Sequence, residues 1–102
     1  MSEIEELIKE INKFRDDRDW RQFHNPKDLA ISLSIEAAEL LEDFQWKSSH
    51  AAVETNMENI KEEIADVMIY CLMITSDLGL DTKQLIREKL EKNAKKYPVE
   101  QS

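Results

Sequence analysis

The chain is predicted to be all-α, and three observations say so. Glycine occurs once and proline twice in 102 residues. None of the three falls between Lys27 and Leu78, so strand and turn punctuation is almost absent there. Apolar residues recur three or four positions apart, the period of one helix face, with strong helix formers between them. Four helices in a bundle-like arrangement are expected, in one domain over residues 1–102.

The first helix is expected from about Glu3 to Arg18. Ser2 and Glu5 have the spacing of a capping box, and Ile4, Leu7, Ile8, Ile11 and Phe14 form its apolar stripe. The second opens at Asn25 as N-cap, with Pro26 in the first helical position and Asp28 in the first turn, and continues to about Trp46. Trp46 to Glu54 reads as a loop. The third spans roughly Glu54 to Leu78 and stops at Gly79. Leu80, Asp81, Gln84 and Leu85 form a hydrophobic staple around the next N-cap, and the fourth helix ends near Tyr97-Pro98. No internal repeat or low-complexity linker interrupts this order.

A net charge of −8 and a pI near 4.7 argue against a nucleic-acid polymer or an anionic membrane as partner. No apolar run is long enough to span a bilayer, and Met-Ser-Glu-Ile-Glu-Glu does not read as a signal peptide. Cys71 is the only cysteine, which excludes an internal disulfide and a cysteine-based zinc site. A cytoplasmic location is the expectation.

Against this background two acidic motifs stand out, Glu36-Ala-Ala-Glu39 and Glu63-Ile-Ala-Asp66. Positions three apart on a helix are about 60° from each other, so each motif aims two carboxylates the same way. On the second helix Leu29, Leu33, Ala37, Leu40, Leu41 and Phe44 share a broad arc. Glu36 lies at its edge, Glu39 and Asp43 lie just beyond, and Ile35 and Trp46 close the far side. On the third, Ile60, Ile64, Val67, Cys71, Ile74 and Leu78 form the arc, with Glu63, Asp66 and Tyr70 along its border. A lone acidic pair is usually a solvated face. Two pairs bordered by apolar residues on neighbouring helices are another matter. Carboxylates that gather must be protonated, expelled or neutralised by a cation, and oxygen-only ligands favour Mg²⁺ or Mn²⁺. Val67 to Ile74 is apolar all round, which predicts contact with a second subunit.

Trp20 and Trp46 sit at helix ends near polar residues, a placement suited to stacking on a nucleobase. Phe23 is expected in the core. Tyr70 either orients a ligand or caps a packed interface. His24 is a loop hydrogen-bonder or a ligand contact, and Lys95 and Lys96 complement a helix C-terminus. No glycine-rich phosphate loop is present, so phosphates would need side-chain cations and metal. A di-iron carboxylate bundle uses Glu-x-x-His pairs, and neither His24 nor His50 has an acid three residues before it. The remaining alternative is a non-catalytic helical dimerisation module whose acidic stripe binds a basic partner.

The string Glu36-Ala-Ala-Glu39-Leu-Leu-Glu-Asp-Phe-Gln-Trp46, followed by Glu63-Ile-Ala-Asp66-Val-Met-Ile-Tyr70, resembles the all-α nucleoside triphosphate pyrophosphohydrolases of the MazG type. Arg18-Asp19-Trp20, Phe23-His24-x-Pro26-Lys27-Asp28-Leu29 and Asn93-Ala-Lys-Lys96-Tyr97-Pro98 are similar to the small dCTP pyrophosphatase branch. The resemblance runs from about Phe14 to Tyr97. It implies a protomer that assembles through its long central helices into a dimer or a tetramer built from dimers. It also implies Mg²⁺-dependent hydrolysis of nucleoside triphosphates between the α and β phosphates, with dCTP or a modified dCTP favoured and nucleotide-pool house-cleaning as the role. By the same resemblance Glu36, Glu39, Glu63 and Asp66 are the metal ligands and catalytic groups. Trp20, His24, Trp46 and Tyr70 would line the base and sugar pocket, and Lys27, Asn93, Lys96 and Tyr97 would lie near the phosphates or the pocket rim. Either Glu36 or Glu39 would be the general base.

Overall fold

In the computed structural model, which describes residues 1–99, four α-helices follow one another: α1 (Glu3–Asp17), α2 (Pro26–Glu42), α3 (Ser49–Asp77) and α4 (Thr82–Lys96). A single 3-10 turn, Trp20–Phe23, links α1 to α2. The all-α expectation holds, and the helix starts are set by the side chains that the sequence pointed to. Ser2 accepts from the Glu5 amide, Asn25 from Asp28 and Asp81 from Gln84. Gly79 takes the left-handed conformation at φ 67 that ends α3. Its amide donates to the Ser76 carbonyl while Leu80 donates to Thr75, the paired closure of a Schellman motif.

Two boundaries differ from expectation, both around the α2–α3 connection. α2 stops at Glu42, four residues before Trp46, because Trp46 stands at φ 63, where no α-helix can run. α3 starts at Ser49, not Glu54: Ser48 caps it by accepting from the Ala51 amide. The earlier start is reconciled with the rest of α3 by a bend at Asn56 (φ −117, ψ 17). There the Asn56 side-chain amide donates to the Asp43 carbonyl at 2.7 Å, so the bend is pinned to the end of α2.

α2 and α3 form the main packed pair, and α1 lies across α3. Leu29 from α2 and Ala52, Ile60 and Met73 from α3 are the buried apolar side chains. The expected arc along α3 is covered only in part. Ile60 is buried and Val67 and Ile74 are half-buried, but Ile64, Cys71 and Leu78 are exposed, while Glu63 and Tyr70 are half-buried. A helix that is apolar all round has no single core stripe of its own, so packing chooses one, and here it extends to Glu63 and Tyr70. Phe23, expected in the core, is 68% exposed because the 3-10 turn carries it outward.

α1 is anchored by charge. Arg15 is fully buried and donates from both terminal nitrogens to the two oxygens of Asp77, at 2.9 and 2.8 Å. It also donates to Asn12, whose amide bonds the Ser76 hydroxyl. The chain is open: its radius of gyration is 16.8 Å, against about 13 Å for a compact chain of 100 residues. No helix among the described residues is long and apolar enough to cross a membrane.

Candidate functional site

The packing of α2 on α3 turns Glu36 and Glu39 toward Glu63 and Asp66. The four carboxylates feel one another. Glu36 has its pKa raised, first by burial, then by the charge and hydrogen-bonding proximity of Glu39 and by the charge of Asp66. Glu63 is pushed up to about 7, first by a carboxyl–carboxyl contact with Asp43, then by burial and by the charges of Asp43, Glu39 and Glu36. Such shifts are the signature of like charges held together against their preference.

Spacing places Asp43 beside the acidic stripe without marking it as part of either motif. It lies four residues after Glu39 and seven after Glu36, the helical return to one face. Its side chain is 8% exposed, and its Oδ2 is buried with no hydrogen-bond partner; Glu63 Oε2 is in the same condition. Two buried carboxylate oxygens without a donor require either a shared proton or a cation. The donor set is therefore right for a hard divalent ion. Among the described residues no three His, Cys, Asp or Glu side chains already stand in a metal-coordinating grouping.

A cavity of about 470 Å³ opens beside this cluster. Ile11, Phe14, Trp20, Ile69, Tyr70 and Met73 form its walls, and Glu10 and Asp66 bring carboxylates to it. Asp66 belongs to both regions: it lines the cavity and acts on the charge of Glu36. Phe14 and Trp20 meet edge to face with ring centroids 5.4 Å apart, and the Arg18 guanidinium lies 3.6 Å above the Phe14 ring. The aromatic wall is thereby fixed from α1 and the 3-10 turn. A largely apolar cleft of this size with charged groups at one end suits a flat ring joined to an ionic tail.

The other expected binding residues are distributed differently. His24 is half-buried with its ring 6.4 Å from that of Trp20, and its Nδ1 lies 3.4 Å from Arg15. Burial, then the Arg15 charge, hold its pKa below the usual value. It serves as a support behind Trp20 and does not line the cavity. Trp46 is 98% exposed, and neither it nor Lys27, Asn93, Lys96 or Tyr97 lines the cavity within one chain. Lys96 instead lies 5.4 Å from the Tyr97 ring. Glu10 and Ile11 were not anticipated as lining residues. Only the crossing of α1 over α3 brings them there, and the apolar stripe of α1 gives Ile11 no mark beyond a core position.

An all-helical chain with carboxylate pairs facing across its two longest helices, beside an aromatic cleft, defines a class of small acidic-site helical proteins. The sequence profile of the MazG-like family matches residues 31–102. The chain belongs to the MazG-like family. It is 34% identical over 101 residues to dCTP pyrophosphatase 1 of Mus musculus and 30% identical to that of Homo sapiens. Each match covers 94% of this chain and 59% of the relative, so the chain spans about three fifths of the length of these curated relatives. A crystal structure of a pyrophosphatase from Archaeoglobus fulgidus superimposes with a TM-score of 0.90 at 42% identity, covering 97% of this chain and 95% of that one.

Proposed function

We propose that the protein hydrolyses nucleoside triphosphates between the α and β phosphates, releasing a monophosphate and pyrophosphate, with dCTP or a modified dCTP as the favoured substrate. The observation that carries this reading is the continuity of the aromatic cleft with the four-carboxylate cluster through Asp66. The pyrophosphatase relatives support it. Trp20 and Tyr70 take the base and sugar, and the triphosphate extends toward α2. Glu36, Glu39, Glu63 and Asp66 would hold Mg²⁺, with Mn²⁺ as the substitute, and the bound ion would supply phosphate neutralisation and a more acidic attacking water. Either Glu36 or Glu39 accepts the proton of that water, and burial with the charge of Glu39 raises the basicity of Glu36.

The working molecule in this reading is a single domain that assembles as a dimer or a dimer of dimers. An open protomer with Ile31, Ile35, Leu41, Ile64 and Met68 exposed along α2 and α3 supports it. Trp46, Lys27, Asn93, Lys96 and Tyr97 enter as contributions from a neighbouring protomer, and the role is cytoplasmic house-cleaning of the nucleotide pool.

The test is to incubate the protein and Mg²⁺ with each ribo- and deoxynucleoside triphosphate and to separate the products. Monophosphate with pyrophosphate supports the reading. Orthophosphate as the product rejects the bond assignment, and no turnover of any triphosphate returns the protein to the class of binding modules. Light scattering on the same preparation reads the assembly.

A further inference from the structure

Among the described residues Asp43 is the one buried acid outside the two acidic motifs. Its position is fixed twice over. Its amide donates to the Glu39 and Leu40 carbonyls at the end of α2, and its carbonyl accepts from the Asn56 side chain at the bend of α3. Neither bond uses the carboxyl group. That carboxyl is therefore held without being engaged: Oδ2 is enclosed, without any donor, beside Glu63, whose Oε2 is enclosed in the same way. A carboxylate needed only to end α2 or to pin Asn56 would point to water, because burying it without a partner costs more than leaving it solvated.

Resting on the nucleotide-hydrolase reading above, we propose that Asp43 is a fifth carboxylate of the cation site, its Oδ2 forming with Glu63 Oε2 a two-oxygen seat for a divalent ion at the Asn56 end of the acidic cluster. Mg²⁺ is commonly held by one or two protein carboxylates, with water and substrate phosphate oxygens completing the shell. A pair of enclosed oxygens open to the rest of the cluster meets that requirement without a preformed cage. The bend at Asn56 then has a purpose: it lets α3 approach the end of α2 so that Glu63 and Asp43 can meet.

The experiment measures Mn²⁺ binding by calorimetry and by the loss of the free-ion resonance signal, together with thermal melting in the absence of metal, for the unaltered protein, Asp43→Asn and Glu39→Gln. Asparagine keeps the shape, removes one charge and gives Glu63 a donor. Asp43→Asn is expected to weaken Mn²⁺ binding about 10–100-fold while raising the metal-free melting temperature, because a repulsion has been exchanged for a hydrogen bond. Mn²⁺ affinity unchanged in Asp43→Asn but lost in Glu39→Gln overturns the role of Asp43 and leaves the hydrolase reading standing. An unaltered protein that binds no Mn²⁺, alone or with a triphosphate, overturns both. Should Asp43→Asn fail to fold, Asp43→Ser, whose hydroxyl can also donate to Glu63, gives the same comparison.

Discussion

At one end of α3 Asp77 meets a buried arginine, and four turns earlier Glu63 meets other acids. The two positions are 14 residues apart, about 21 Å along the axis and nearly on one face. Arg15 pairs its charge with Asp77 and links through Asn12 to Ser76, with only its Nε left without a partner, and the Asp77 pKa is lowered, chiefly by its hydrogen bonds from Arg15 against the opposing effect of burial. Around Glu63 the pKa values move upward and two oxygens have no partner. The charge-paired cluster fastens α1 to α3. The like-charged one stores a demand for positive charge. The same side-chain chemistry is structural where opposite charges meet and available for function where like charges gather.

Four measurements can break or sharpen this contrast. The largest expected effect is on the charge-paired cluster: Arg15→Ala leaves Asp77 without its counter-charge and should cost ~3–5 kcal/mol in urea unfolding. If instead it unfolds no more easily but hydrolyses more slowly, the division of labour is wrong. Next, Glu39→Ala or Asp66→Ala should lower kcat by about a hundredfold or more, the loss of several kcal/mol of charge stabilisation, with helicity by circular dichroism retained. Full activity in both variants removes the carboxylate cluster from the chemistry. Trp20→Ala should act on binding, raising KM about tenfold for the loss of ~1–3 kcal/mol of base stacking. A change in kcat alone would place the indole elsewhere.

The smallest effect concerns acid. The folded Asp77 carboxyl ionises below its unfolded value, near 3.9, so its contribution is present above that pH and is lost as pH falls through the folded pKa. The urea midpoint should drop over that window, and Asp77→Asn should flatten the drop.

The sequence made the helices legible because each start carries a side-chain cap and the long one ends at the single glycine. Spacing put each acidic pair on one helix face, while the meeting of the two faces depended on α2 packing on α3. What it concealed were features that exist only after two helices have met. Arg15 looks like any surface charge on an acidic helix until Asp77, 62 residues away, is brought beside it. Glu10 and Ile11 become cavity residues by the crossing of α1 over α3. Asp43 was legible by period, but its lack of a partner was not, since burial is a property of the packed pair. The bend at Asn56 escaped because asparagine inside a helical pattern gives no more than a weak propensity signal.

Trp46 carries a last consequence. A bulky side chain at φ 63 occupies a conformation natural to glycine, at a local cost of about 1–3 kcal/mol. Among the described residues none buries the ring, which is almost wholly in solvent. Folding preference and ring identity thus pull in opposite directions at one codon. A glycine would meet that φ without strain, so the fold of this chain does not by itself account for an indole at position 46.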